Sequence, residues 1–451
     1  MTLDVLLICA LKDEYDQVLN VTYGLIDPGW VESHGPKGWT VADASFMTSS
    51  GAPLRIRSTW ATHMGREQAQ AVASMLIQAQ PARCLAMCGI CAGRRGKVAL
   101  GDVIFADRLW SYDAGKTTVE DGEERFEGDM FQFHAPPVWI QRMQQVSVSE
   151  QALWLAERPA LPLENQEDWV LLRLLAGEDP LGRADFKEAC PDWSDVLPRL
   201  WQRKWVAQPL ILTDIGRARA AELQLLHPHG LPSPPAIQVC VAPIATGASV
   251  TEDAGIFPRL ASYMRKVLGV EMEASALGAL GNLLDVPVVV AKAVSDYGDA
   301  FKDDRYRRFA ARASAECLIG MLRRATDLLP DRDARVTIPP EKPGVMPADP
   351  ASRTSPSTST ALPRDLIHVL AEEYPDVRDA RALWERAGGK VSEVENIPRP
   401  RDLWQRLWIR SMQGASVRPA TLLKAALEDL PDNTVLIHHL ESLTAAKTTK
   451  P

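Results

Sequence analysis

An α/β protein joined to a separate all-helical module is the fold class this sequence predicts, on three observations. Apolar runs of strand length alternate with segments of helical periodicity from residue 1 to about 330, the pattern of a layered α/β unit. Between 147 and 235 consecutive helices with one strand-like piece replace that alternation, which reads as an insertion. From Asp331 to Pro363 the chain holds seven prolines and eight serines or threonines without apolar periodicity, a linker composition, and only helices follow. The domain plan is therefore an α/β unit over 1–146 and 236–330, an insert over 147–235, a disordered linker over 331–362 and a helical module over 363–446. A chain of 451 residues has room for it, at roughly 150 residues per domain.

The elements follow in order. Asp4–Ala10 (DVLLICA) is a continuous apolar run, as a strand buried on both faces requires, and Lys12-Asp13-Glu14 places charge at its carboxyl end. Leu54–Thr59 alternates as a strand, Glu67–Gln80 repeats helically, and Cys84–Ile90 is a strand feeding a glycine turn over Gly89–Gly96. In the insert, helices over Trp169–Leu175, Arg183–Ala189 and Trp193–Trp205 precede a short strand at Leu210–Leu212. Helix Asp214–Leu226 then starts from Asp214 as N-cap, an ending that resembles winged-helix modules. Ala236–Ile244 is again strand, Ala274–Leu284 helix, Val286–Val294 buried strand and Tyr306–Leu329 a long helix. Beyond the linker come helices Arg364–Glu373, Val377–Ala387, Pro400–Met412, Pro419–Leu430 and Val435–Leu443, punctuated by glycines and prolines. Trp404, Leu407 and Trp408 share one face there, as a buried seam requires.

Composition narrows the function classes. Hydrophobic residues at 46% and charged residues at 24% exclude global disorder. A net charge of -8 removes any overall drive toward nucleic acid or anionic lipid. Leu161–Leu226 holds eight basic and eleven acidic side chains, so the insert is expected to dock protein or serve structure rather than contact DNA. Asp4 and the shortness of the first apolar run argue against a signal peptide or membrane span. An odd count of seven cysteines fits reduced thiols in the cytoplasm. Cys84-x3-Cys88-x2-Cys91 has the ligand spacing of radical S-adenosylmethionine clusters, yet it lies in an apolar strand where three sulfurs do not converge, so these are read as buried hydrophobes. No zinc or P-loop pattern occurs, and no metal or cofactor is expected.

Polar clusters interrupt strand ends at Glu14, at Glu271-Met272-Glu273 and at Ser295-Asp296, where α/β sheets bind ligands. The motifs ICALKDE, GICAG with GKVALGDVIFAD, GVEMEASALGAL and VVVAKAVSDYGD resemble the purine nucleoside phosphorylase and nucleosidase superfamily, especially its adenosine-type nucleosidases. The resemblance implies a three-layer phosphorylase/hydrolase-like fold, a usual assembly as homo-oligomers, and cleavage of a base–ribose bond in a purine nucleoside or nucleotide. Such cleavage passes through an oxocarbenium-like sugar while negative charge builds on the base, and an enzyme must meet both. By the resemblance, Asp296 protonates or hydrogen-bonds the purine, with Ser295 positioning it, and Glu14 orients and deprotonates the attacking water. Glu273 would grip the ribose hydroxyls, Met272 would pack on the sugar and Glu271 would stand beside them. Gly89, Cys91, Ala92 and Gly93 would let backbone approach the substrate, with Thr246, Gly247 and Val250 on the other side.

Two carboxylates in the first turn favour water over phosphate as nucleophile; a phosphate-dependent phosphorylase is the alternative. Arg94, Arg95, Lys97 and Lys302 are candidate contacts for substrate phosphates, because arginine binds phosphate bidentately. Cys91 stands where family members often have serine, and Val250 where they have an aromatic, so base stacking is expected from Tyr297 or Phe257. The tail motifs LIHVLAEEYPDVRDARALWERAG, DLWQRLW and LLKAALEDLPDN resemble the effector-associated, death-like domains of bacterial anti-phage proteins, which bind a like domain on a partner protein. The expectation is a nucleosidase recruited in phage defence. A non-catalytic nucleotide sensor regulating transcription through the insert is the other class.

Overall fold

A computed structural model describes residues 3–120, 123–129, 131–249, 252–331, 364–394, 400–412 and 416–445. Val250 and the expected linker after Asp331 lie outside them. The chain divides into two units, 1–342 and 343–451.

In the first unit β1 (Leu3–Cys9) is buried at every position, as its unbroken apolar run demands. After it come α1 (Lys12–Leu19), β2 (Val31–His34), β3 (Thr40–Met47), β4 (Pro53–Trp60), α2 (Arg66–Ala79), β5 (Ala82–Gly93) and β6 (Val103–Ser111). A hairpin of β7 (Gly115–Glu120) and β8 (Glu123–Gly128), then β9 (Gln132–His134) and α3 (Pro137–Gln144), lead to the insert. The insert comprises α4 (Leu163–Leu175), α5 (Phe186–Ala189), α6 (Trp193–Gln202), a ribbon of β10 (Val206–Ala207) with β11 (Ile211–Leu212), and α7 (Asp214–Leu226). The unit finishes with β12 (Val239–Thr246), α8 (Ile256–Tyr263), β13 (Gly269–Glu271), α9 (Ala274–Leu284), β14 (Val288–Asp296) and α10 (Arg305–Leu322).

The main sheet runs β2-β3-β4-β1-β5-β14-β6-β12-β13, and β13 pairs again with β5. Strands β5, β14, β6, β12 and β13 therefore close on themselves. Within that ring β5 and β14 are parallel to each other and antiparallel to the β6–β12–β13 group. Two helix pairs, α1 with α10 and α2 with α9, pack on the sheet. The result is the α/β architecture expected, in a mixed sheet whose closed part brings the carboxyl ends of β5, β13 and β14 together.

Local departures have local causes. The expected glycine turn at Gly89–Gly96 is instead strand as far as Gly93, because these glycines serve close approach rather than chain reversal. A β-carbon on Gly93 would come within 2.5 Å of Val294 Cγ1. The expected Arg183–Ala189 helix begins only at Phe186, a separate 3₁₀ turn occupying Pro180–Gly182. The N-cap of α7 is Thr213, not Asp214: its hydroxyl accepts the Gly216 amide at 3.0 Å, and Asp214 is the first helical residue. The long terminal helix stops at Leu322.

The insert has its own core, centred on Val170, Leu171, Val196, Leu200 and Ala220. The second unit consists of α11 (Arg364–Glu373), α12 (Val377–Arg386), α13 (Pro400–Met412), α14 (Pro419–Asp429) and α15 (Thr434–Ala445). Trp384 and Trp404 are fully buried at its centre with Leu407 and Trp408, and Trp404 Nε1 donates to the Tyr374 carbonyl at 3.0 Å. Among the described residues no helix is long and apolar enough to cross a membrane.

Candidate active site

Glu14 stands in the first turn of α1 and is buried. Both of its oxygens are held by main chain: Oε2 accepts the amides of Ala10 (2.8 Å) and Leu11 (3.2 Å), and Oε1 accepts that of Ile90 (2.9 Å). The carboxylate thus lies over β5 at Gly89. That residue has φ +147°, and its amide donates to Ser314 Oγ of α10 at 3.0 Å.

Strand β13 brings the next two carboxylates to the same place. Because Gly269 and Val270 pair with Gly93 and Ala92, Glu271 at the end of β13 is drawn toward the end of β5. Glu271 caps α9, accepting the amides of Glu273 (3.0 Å) and Ala274 (3.0 Å) and the Thr246 hydroxyl (2.6 Å). Thr246 in turn accepts the Ser275 amide at 3.1 Å, and the Gly247 amide donates to the Glu271 carbonyl at 2.9 Å. Glu273 Oε1 accepts the Gly65 amide at 2.9 Å. Met272 is half-buried between them.

A residue the sequence reading passed over completes the cluster. Lys292 of β14 pairs across the sheet with Gly89 and is wholly buried. Its Nζ lies 3.3 Å from Glu271 Oε2 and 3.8 Å from Glu273 Oε2. Burial works against the ammonium, but Glu271, Glu14 and Glu273 outweigh it and raise its pKa. Glu273 is pushed up to about 7 by burial, aided by Glu271 and Glu14 and opposed by Lys292. Lysine in a strand interior is almost never fully buried unless paired. That was the available signal in VVVAKAV.

Asp296 ends β14, where a register slip after Val294 sets it opposite Ala92. It is half-buried, and its oxygens accept the Ser295 hydroxyl (2.8 Å) and the Gly298 amide (2.8 Å). Ser295 Oγ is also 3.3 Å from the Cys91 carbonyl. Cys84, Cys88 and Cys91 are all buried in β5, and burial pushes the Cys91 thiol well up, leaving it a neutral wall.

The basic candidates are differently placed. Arg94 Nη1 donates to the Arg265 carbonyl at 2.8 Å. Arg95 pairs with Glu164 of the insert (2.6 Å) and Asp299 (2.7 Å), engagements that leave little of its fork for phosphate. Lys97 is exposed, and Lys302 lies 3.2 Å from Glu252. Of the aromatics expected to stack on a base, Phe257 is buried in the core that α8 packs against, and the Tyr297 ring has the Arg95 guanidinium 4.2 Å from its centroid.

This chain is 26% identical over 321 residues to the uncharacterized protein y4jS of Sinorhizobium fredii, a match covering 70% of this chain and 60% of that protein. It is 23% identical over 316 residues to the ATP nucleosidase Cap17 of Escherichia coli, covering 70% and 50%. The chain thus spans about 50–60% of the length of these curated relatives. Among solved structures, the 5'-methylthioadenosine/S-adenosylhomocysteine nucleosidases of Helicobacter pylori and S. pneumoniae align over 71% of this chain and 98% and 99% of theirs, at 12% and 16% identity, each with a TM-score of 0.42. Residues 358–443, the helical tail, match the family model of effector-associated domain 1.

Proposed function

We propose that the α/β unit is an N-glycosidase that hydrolyses the base–ribose bond of a purine nucleoside or nucleotide, and that the tail recruits it to a protein partner in anti-phage defence. The observation that carries this is the gathering of Glu14, Glu271, Glu273 and Lys292 into one buried cluster beside Asp296, from parts of the chain nearly 300 residues apart.

The cluster suits the chemistry. Three carboxylates around one ammonium leave an excess of negative charge where an oxocarbenium-like sugar develops positive charge. The same excess disfavours a phosphate dianion as nucleophile, because like charges at close range in a poorly solvated site repel strongly. Glu14, fixed by three amides, orients and deprotonates water; Glu273 grips the ribose hydroxyls, with Lys292 holding it in place. Asp296, held by Ser295 and Gly298, protonates the departing base. The ATP nucleosidase among the relatives makes ATP the first nucleotide to try.

The test is free-base release, followed chromatographically, from adenosine, AMP, ATP and guanosine analogues with and without phosphate. Base release without phosphate is expected. Dependence on phosphate would make it a phosphorylase, and no release from any purine substrate would remove the assignment.

A further inference from the structure

The loop Tyr297–Asp304, which follows Asp296 and leads into α10, is held along most of its length by the insert. Arg95 lies over the Tyr297 ring and is clamped by Asp299 and by both oxygens of Glu164 on α4 (2.6 and 2.9 Å). Arg203, just past α6, lies between two rings, 3.8 Å from the Phe301 centroid and 4.6 Å from that of Trp205. Its Nε is 3.2 Å from Glu167, a wholly buried carboxylate on α4 that also pairs with Arg199. Arg199 donates to the Lys302 carbonyl at 3.1 Å, and Asp303 accepts the Leu163 amide at the start of α4 at 3.0 Å. At the far end Arg305 joins Asp303 to Asp192, which precedes α6.

Phe301, Lys302 and Asp303 of this eight-residue loop are held directly by Arg203, Arg199 and Leu163 of the insert, and Tyr297 and Asp299 are held indirectly, through Arg95, which Glu164 clamps. Glu167 is where two of the tethers converge: this buried carboxylate pairs with both Arg199 and Arg203, and removing it leaves Arg203 with Glu164 alone, 3.3 Å away, and takes the carboxylate from Arg199, which is destabilising locally. Nothing in β14 alone fixes the loop beyond Gly298, whose amide bonds Asp296. Gly298 opens the loop that Leu163, Arg199 and Arg203 hold, so contacts made far earlier in the chain bear on Asp296 through that amide.

Resting on the glycosidase assignment, we infer that the insert is a positioning element of the active site: Glu164, Glu167 and Arg203 act through the Tyr297–Asp304 loop to hold Asp296 where it meets the leaving base. None of the three touches substrate. Their loss impairs protonation of the base, not sugar binding.

The experiment compares full-length wild type with Glu164→Gln, Arg203→Ala and, as a control within the insert, Arg183→Ala, whose partners Asp185 and Glu178 lie away from the loop. Each is assayed on the best purine substrate and on p-nitrophenyl β-ribofuranoside, whose nitrophenolate departs without a proton. Glu164→Gln changes a partly exposed residue and is the variant certain to test the idea if Arg203→Ala misfolds. Expected for Glu164→Gln and Arg203→Ala is a kcat on the purine substrate lower by at least about tenfold, a part of the roughly 10²–10⁴-fold a positioned acid supplies. KM should stay within about threefold, and cleavage of the nitrophenyl riboside and the Arg183→Ala control should be unchanged. Equal loss on both substrates would mean a general folding fault and overturn the inference, as would undiminished kcat in both variants. An unmutated chain that releases no base would instead remove the glycosidase assignment, and this inference with it.

Discussion

A β-carbon added to Gly89 would lie 2.3 Å from Oε1 of Glu14, closer than any two such atoms approach. The carboxylate occupies the space a side chain at position 89 would fill, and φ +147° there is open to glycine and closed to alanine without strain. Gly89→Ala should displace Glu14 and lower stability by about 1–3 kcal/mol, the usual result of overpacking. Thermal unfolding with base-release kinetics checks both effects; wild-type behaviour in both would mean that Glu14 is free to move.

Glu14→Gln is not a silent removal of charge. Three amides donate to the carboxylate, so the amide nitrogen of glutamine must face at least one main-chain N–H and leave a buried donor unmatched. The expected result is loss of hydrolysis by about 10²–10⁴-fold together with destabilisation by about 1–3 kcal/mol. Denaturant unfolding separates the two; full activity in this variant would point to another base.

Asp296→Asn keeps the shape and one of the two acceptor oxygens that Ser295 and Gly298 use, while removing the group that gives a proton to the base. Base release should fall by about 10²–10⁴-fold with KM little changed. Near-normal turnover would show that the base leaves unprotonated or is protonated elsewhere.

Glu273 makes the site sensitive to pH. Its pKa rises from 4.5 to about 7 on folding, so the protonated form is favoured in the folded state; that contribution is complete below 4.5 and is lost as pH rises toward 7. Glu273→Gln stays neutral throughout. Its Tm relative to wild type should climb as pH is raised from 4.5 to 7 and level off above. A constant difference across that range would contradict the shift.

A chain ending at Asp331 should retain the Tm and base-release rate of the α/β unit, because each unit has a hydrophobic core of its own. What it should lose is activity that depends on a partner in cells, since recruitment raises effective concentration without changing the site. Aggregation of the truncated chain in gel filtration would show that the tail completes the catalytic fold.

Particular residues show what could be read before the structure. Glu14, Glu271, Glu273 and Asp296 could be picked out because they recur together at the ends of apolar strands; each alone reads as a helix cap or ion pair, and Glu271 does cap α9. Lys292 escaped notice because a charge inside a strand run looks like an interruption; only its partners, 19 and 21 residues earlier, explain it. Closure of the ring by β13 is invisible to periodicity, since a three-residue strand completes no pattern. The insert's grip on the loop after Asp296 is likewise unreadable, because its arginines and their partners lie 32 to 103 residues apart and pairing at such distances leaves no local pattern.

The insert leaves the chain of the α/β unit in two pieces that belong together. Glu14 and Gly89–Gly93 precede it, whereas Glu271, Glu273, Lys292 and Asp296 follow it, and the pieces meet through β6 with β12 and β5 with β14. A backbone cut in the exposed stretch around Pro228–Ala236 would yield two fragments, each with an incomplete set of charges and neither able to open a glycosidic bond. Any base release would then require that both halves be made and find each other, so the molecule is divisible along a seam already present in its fold.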